Sequence, residues 1–478
     1  MSTVTTFKIN SLELKNFRAF ESLSIDFHDN LTVLVAKNGE GKTSVIDAVA
    51  IALTPFVQGF DDIKGRSFER DDVRLYQVRK TRSNEMEYAV DGTTIKTEAT
   101  FYQLGNVEWV RQRSSTKQNK GKDKNTSQLI ELAHDLQNSI RTIEVAEKTI
   151  LPLVALYGTN RLWSEKATKE TDFDITSRTI GYSACLNSST DFKSFEKWFI
   201  YWAFSSLSHK AELLGRAVEE LQANARNQTR KTNNYRNIKN RLDTEFDGYI
   251  ASIQHALNIC LKITGWQKIN YDFGKQEIVG VHPKNGMLPI HLLSDGVRSM
   301  IALVADIAFR ATKLNPHLGA EASCKTPGIV LIDEVDMHLH PEWQQLVLGG
   351  LTAAFPEIQF IVTTHSPQVL TTVPPECIRE LSRDGDNVHV IIPEFSLGAE
   401  SPYVLESIQG VHTRPQHLEI VQELNEYQHL IAEDQWDTPR AVVLREKLNA
   451  WGHGFEPALV KMDMDIRMRA YRRGQATR

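Results

Sequence analysis

Eight consecutive residues, Lys37-Asn38-Gly39-Glu40-Gly41-Lys42-Thr43-Ser44, carry the strongest chemical signal in the chain. They follow the apolar run Leu31-Thr32-Val33-Leu34-Val35 and precede Val45, Ile46, Val49 and Leu53, which recur at helical spacing. The order is strand, glycine-rich turn, helix, and the free backbone N–H groups at such a helix start wrap an anion. Gly39 and Gly41 keep side chains out of the way. Lys42 is expected to reach the β- and γ-phosphates of a nucleotide, and the Thr43 hydroxyl to take one position in the octahedral shell of Mg²⁺. Ala36 stands where the usual pattern has its first glycine, a departure that matters only if the backbone there needs positive φ.

Three further groups fit the same chemistry. The apolar run Ile329-Val330-Leu331-Ile332 ends in Asp333-Glu334, so Asp333 is expected to hold the metal through water and Glu334 to polarise an attacking water. Another predicted strand, Ile358 to Thr363, leads into Thr364-His365-Ser366, which puts His365 where it can hydrogen-bond a terminal phosphate. Leu293-Ser294-Asp295-Gly296 precedes a helix beginning near Val297, so Ser294 and the N–H of Gly296 can bind phosphate at its N-terminus. Taken alone, an acidic pair, a strand-end histidine or a serine cap is usually structural. Their order along one chain, behind a phosphate loop, is what gives them meaning.

The elements that must position these groups are legible in the periodicity. Residues 8–36 read as two half-exposed strands followed by a buried one. From Ser67 to Arg113 short antiparallel strands are expected as an inserted β-layer, with Asp91-Gly92 as a tight hairpin turn. Leu151 to Tyr157 reads as a buried strand, and proline-free Phe192 to Gly265 as a lobe of two or three helices. The α/β alternation returns after Trp266 and the last strands run to about Phe395. Leu418, Val421, Leu424, Tyr427 and Ile431, then Leu444, Leu448 and Trp451, mark amphipathic helices beyond Ser401. The Lys117–Lys124 run reads as a surface loop, and the basic stretch from Arg226 to Arg241 as a solvated helix face or, alternatively, a DNA-facing one.

Composition bounds the class. With 478 residues, 41% hydrophobic and 24% charged, the chain is expected to be globular: one nucleotide-binding core with appendages. The start lacks the pattern of a signal peptide and no stretch is apolar enough to span a membrane, so a cytoplasmic location is expected. Four scattered cysteines indicate neither zinc nor disulfides. A net charge of −5 gives no global electrostatic argument for DNA binding.

The order of phosphate loop, helical lobe, Leu-Ser-Asp-Gly tag, Asp-Glu strand and histidine resembles the ABC-type P-loop ATPase heads of the RecF, SMC and OLD-like group, as does the opening Leu12-Glu13-Leu14-Lys15-Asn16-Phe17-Arg18. The resemblance implies an α/β fold: a mixed sheet with an inserted antiparallel β-layer, a helical lobe and C-terminal helices. It divides the chain into 1–190 and 266–400 as the two halves of the head and 191–265 as the lobe, leaving 401–478 as a C-terminal helical region whose amphipathic helices either dock a partner or pack on their own head. It implies ATP and Mg²⁺ as ligands, Arg18 near the nucleotide, and Ser294, Asp295 and Gly296 acting across a homo-oligomer on the phosphates held by the other subunit. Asp336 resembles the loop that links the two sites. Asn160 takes the place of a glutamine that contacts metal and water in such heads, which puts rapid hydrolysis in question.

Tyr157-Gly158-Thr159-Asn160-Arg161-Leu162-Trp163, the aromatic residues Phe192, Phe195, Trp198 and Phe199, and Arg414-Pro415 look like the PtuA ATPases of Septu antiphage defence. That resemblance implies a separately encoded HNH nuclease, PtuB-like, as partner, with DNA reached through the complex. A RecF-like repair ATPase binding DNA directly, or a nucleotide-sensing scaffold with little turnover, are the alternatives. No nuclease motif is evident in this chain: Asp463-Met464-Asp465 sits in a helix-like run without the strand and glutamate a Toprim site needs, and His338, His340 and His412 form no HNH pattern.

Overall fold

The computed structural model describes residues 6–77, 86–101, 104–114, 123–159, 177–188, 193–224, 244–262, 264–385 and 387–476. The expectations about Asn160 and about the basic stretch from Arg226 to Arg241 lie outside these residues, as does most of the Lys117–Lys124 run. The described chain divides into two units, Met1–Val404 and Leu405–Arg478.

The first unit opens with β1 (Phe7–Phe17) and β2 (Phe20–Asp26), antiparallel partners in which Leu12 faces Ile25 and Leu14 faces Leu23. Their side chains alternate between core and solvent, as a sheet covered on one face requires. In β3 (Leu31–Ala36) every residue from Leu31 to Val35 is buried, so this strand is covered on both faces. The helix Lys42–Gln58 follows directly from the glycine turn.

The inserted layer holds β4 (Leu75–Gln77), β5 (Met86–Tyr88), β6 (Thr93–Phe101) and β7 (Gly105–Arg113). β6 and β7 join β1 and β2 in one antiparallel sheet of order β2-β1-β6-β7, while β5 pairs with β4. Asp91-Gly92 is therefore not the turn of a hairpin. It passes the chain from one sheet to another, although Gly92 does take the positive φ, 72°, that the dipeptide suggested. The layer grips the phosphate-loop helix: Trp109 Nε1 donates to the Ala52 carbonyl and Arg111 to that of Ile51, both at 2.9 Å, while Phe7 stacks on Phe101 at 4.1 Å and meets Phe56 at 5.0 Å.

Beyond β8 (Leu153–Tyr157) come the lobe helices Lys193–Asn224 and Glu245–Cys260. Before the α/β pattern resumes, β9 (Lys268–Asp272), β10 (Glu277–His282) and β11 (Gly286–Pro289) form a separate antiparallel meander. Sequence periodicity had merged this meander into the returning core. The helix Asp295–Leu314 then leads to β12 (Gly328–Ile332), β13 (Ile358–Thr363), β14 (Ile378–Asp384) and β15 (Asn387–Ile391).

These strands complete a six-stranded sheet of order β15-β14-β3-β13-β12-β8, parallel except for β15. β8, β12 and β13 are buried throughout; β8 and β12 accordingly read as apolar runs, while β13 also buries Gln359 and Thr363. Register aligns Ile332 with Val362 and Tyr157, and Thr363 with Leu34, so the carboxyl ends of β3, β13, β12 and β8 share one edge. Ligands of parallel α/β sheets bind at that edge.

In the second unit, the helices Glu419–Ala432, Pro439–Gly452 and Pro457–Ala476 close around Leu424, Tyr427, Ile431, Leu444, Leu448, Leu459 and Met462. Asp463 accepts from both terminal guanidinium nitrogens of Arg445, at 2.6 and 2.8 Å, and Asp465 pairs with Arg469. No helix among the described residues is long and apolar enough to cross a membrane.

Candidate functional site

At the carboxyl edge of the sheet, β3 hands over to the turn 37–41. Gly39 and Gly41 adopt φ of 84° and 101°, the left-handed region that glycine enters without strain. A Cβ on Gly41 would also come within 2.3 Å of the Phe20 ring, so both backbone and space demand glycine there. Ala36 is not among the positive-φ residues, and its methyl group is harmless. The turn is closed by the Glu40 N–H on the Lys37 carbonyl, and the Glu40 carboxylate accepts from the Lys37 N–H at 3.0 Å. Lys42 is buried and donates to the Ala36 carbonyl at 2.8 Å. Burial lowers its pKa, and the nearby carboxylates of Asp333, Glu40, Glu334 and Asp336 only partly oppose that.

β12 delivers the acidic pair to the same place. Thr43 Oγ1 donates to Asp333 Oδ2 at 2.9 Å, so the residues 290 positions apart touch. The Asp333 N–H donates to the Tyr157 carbonyl at 2.8 Å, which ties the end of β12 to the end of β8. Glu334 takes a φ of 50°, unusual for a residue with a side chain, and turns the chain out of the sheet. Two threonines that the sequence reading did not single out organise the corner. Thr363 Oγ1 donates to Asp333 Oδ1 at 2.6 Å and accepts from the Glu334 N–H at 2.7 Å. Thr364 Oγ1 donates to Asp336 Oδ1 at 2.6 Å. His365 follows, exposed, with its N–H 3.4 Å from the same Asp336 oxygen.

The expected residues thus fall into a joined group and an outlying one. Lys42, Thr43, Asp333, Glu334, Asp336 and His365 are linked through the phosphate loop, β12 and the end of β13. Ser294 and Asp295 are exposed, and no hydrogen bond or ion pair joins either to the phosphate loop among the described residues. Ser294 occupies the cap position of the helix Asp295–Leu314 without a side-chain capping bond, and Asp295 pairs with Arg298. Gly296 packs against the loop that starts at Asp336: a Cβ there would lie 2.6 Å from the His338 carbonyl.

Arg18, also at positive φ, sits beside the phosphate-loop helix and not in open solvent. Its guanidinium donates to Asp47 at 2.7 Å and to Asp72 at 2.9 Å, and Arg66 pairs with the other Asp47 oxygen at 2.6 Å. Burial opposes its charge, but the two carboxylates outweigh that and leave its pKa raised.

Comparison with known proteins shows a family and several relatives. The AAA ATPase domain family matches residues 7–370. The Retron Ec83 probable ATPase of Escherichia coli is 27% identical over 97% of this chain and 87% of its own length. The Septu protein PtuA of Bacillus mycoides (strain KBAB4) is 48% identical over a much shorter segment, 16% of this chain and 10% of that protein. A crystal structure of the Smc head domain with an extended coiled coil, bound to the C-terminal domain of ScpA and derived from Pyrococcus furiosus, covers 80% of this chain and 96% of its own at 16% identity, with a TM-score of 0.41. The chain belongs to the AAA ATPase domain family, and it is an ATPase.

Proposed function

We propose that this ATPase is the nucleotide-driven subunit of a bacterial antiphage complex, in which two heads close around ATP and Mg²⁺ and thereby control a separately encoded HNH nuclease acting on DNA. The observation that carries the nucleotide part is the meeting of Thr43, Asp333 and Glu334 at the end of the phosphate loop. The defence part is supported by likeness to a retron ATPase along 97% of the chain and to a Septu protein over a segment.

The donor set fits Mg²⁺. The Thr43 hydroxyl and the Asp333 carboxylate are hard oxygen donors already in contact at 2.9 Å, and Mg²⁺ takes one or two such protein oxygens while phosphate and water fill its shell. Bound there with ATP, it would supply charge neutralisation at the phosphates. Asn160 would add an amide contact in this reading. The residues themselves do the remainder. The N–H groups between Asn38 and Ser44 that the turn leaves open cradle the phosphates, and Lys42 exchanges the Ala36 carbonyl for the outer phosphate oxygens. Glu334 orients the attacking water and takes its proton. His365 hydrogen-bonds the terminal phosphate, and Arg18 steadies the loop helix near the nucleotide through Asp47. From the second copy, Ser294, Asp295 and Gly296 complete the phosphate site, with Asp336 at the loop joining the two sites.

In this reading residues 1–190 and 266–400 build the head, 191–265 the lobe and 401–478 the part that docks a partner. Co-expression with the nuclease encoded by an adjacent gene tests it. The two proteins are expected to co-purify, with DNA cutting that changes on ATP addition and no longer responds in Lys42→Ala. A nuclease that neither binds nor responds to ATP would overturn the proposal.

A further inference from the structure

Among the groups around the acidic pair, one hydroxyl touches both acids. Thr363 is fully buried at the end of β13, and its Oγ1 gives its only proton to Asp333 Oδ1 while accepting the Glu334 N–H. A hydroxyl has one donor and two acceptor sites, so the two bonds do not compete. With Oδ1 so held, Asp333 presents Oδ2 towards Thr43. On the backbone side, the Val335 N–H donates to the Thr363 carbonyl at 2.9 Å, so the left-handed Glu334 is clasped by Thr363 on both of its flanks. A residue with a side chain keeps such a φ only where its surroundings enforce it.

We infer that Thr363 is the positioning residue of the hydrolytic pair: a single side chain that fixes the metal-facing direction of Asp333 and the outward turn of Glu334 together. The inference rests on the reading of those two acids given above. It predicts a specific pattern, because valine has nearly the same shape as threonine and suits a buried strand, yet offers neither donor nor acceptor. Losing such an outer-shell partner lowers activity or metal affinity by about 10- to 100-fold.

The test compares Thr363→Val and Thr363→Ser in the full-length protein, with Glu334→Gln as a control. Three readouts are taken: kcat and KM for ATP, binding of a fluorescent non-hydrolysable ATP analogue with and without Mg²⁺, and the melting temperature. Thr363→Val is expected to lose kcat by about 10- to 100-fold, to bind the analogue normally without metal, and to need more Mg²⁺ for the affinity gain that the wild type shows. Thr363→Ser, which restores the hydroxyl, is expected to recover most of both properties. Wild-type kcat and Mg²⁺ dependence in Thr363→Val would overturn the inference. So would equal losses in both variants that follow a lowered melting temperature, since that marks packing alone. Should the valine variant fail to fold, Thr363→Ala against Thr363→Ser carries the same comparison. Failure of the underlying reading looks different: Glu334→Gln would then hydrolyse ATP as fast as wild type, whatever Thr363 does.

Discussion

Gly41 and Ala36 flank the same phosphate loop, yet they are expected to respond oppositely to substitution. At Gly41 the φ of 101° and the Phe20 ring 2.3 Å from a new Cβ both oppose alanine. A left-handed residue with a side chain costs about 1–2 kcal/mol before any clash, so Gly41→Ala is expected to weaken ATP binding by at least about tenfold. Ala36→Gly should leave binding within error, because no positive φ is imposed there. Titration of a fluorescent ATP analogue checks both, and equal behaviour of the two variants would mean that loop geometry is not limiting. Lys42→Ala should abolish binding, whereas Glu334→Gln should bind ATP and hydrolyse it slowly. At this scale the sequence was informative wherever a motif is contiguous, as in residues 37–44 or Asp333-Glu334. It was silent on Thr363 and Asp47, whose importance arises only when sheet register brings positions 333 and 363 side by side, or when folding sets Arg18 against a helix.

Elements were readable where burial is uniform, because strands covered on both faces are dominated by apolar residues, with only Thr32, Gln359 and Thr363 as buried polar exceptions in β3 and β13. β3, β8, β12 and β13 all belong to this class. The meander β9–β11 was missed because its short half-exposed strands carry no comparable run, and Asp91-Gly92 misled because a local turn does not reveal which sheet each flank joins. The lobe offers a measurable case of local encoding. Thr244 and Asp247 form a reciprocal cap at the start of the helix Glu245–Cys260, with the Asp247 carboxylate also receiving Ser206 at 2.8 Å and Lys210 at 2.6 Å. Burial raises the pKa of Asp247, but the bonds from Lys210, the Thr244 N–H and Ser206 outweigh it and hold it at about 2. A carboxylate whose folded pKa lies below its unfolded value of about 3.9 adds stability above that value, and the contribution fades as pH falls towards 2. Asp247→Asn should therefore melt below wild type at pH 5 and converge with it between pH 4 and 2. Thr244→Ala should lose about 1 kcal/mol of stability through the cap. Parallel melting curves across that pH range would exclude Asp247 as the responsible group.

At the level of the whole molecule, the decisive question is whether Ser294 and Asp295, which stand apart from the phosphate loop of their own chain, serve that of a second copy, as proposed above. They are exposed at the head of a 20-residue helix, while Gly296 is pressed against the His338 carbonyl, so the tag and the loop from Asp336 form one surface within the chain. If that surface serves the phosphate loop of a second copy, the two defects Lys42→Ala and Ser294→Arg lie on opposite sides of each shared site. Each variant alone would be inactive, because every site in its dimer lacks one half. A two-fold interface makes the sites reciprocal, so mixing the variants yields heterodimers with one fully intact site and one doubly damaged site. An equimolar mixture that exchanges freely should thus regain about a quarter of the wild-type sites, measured as ATP turnover per total protein. Under a cis arrangement every chain's site would keep its own defect, and mixing would restore nothing. Because each variant is its own inactive control, recovered turnover can arise only from sites assembled between chains.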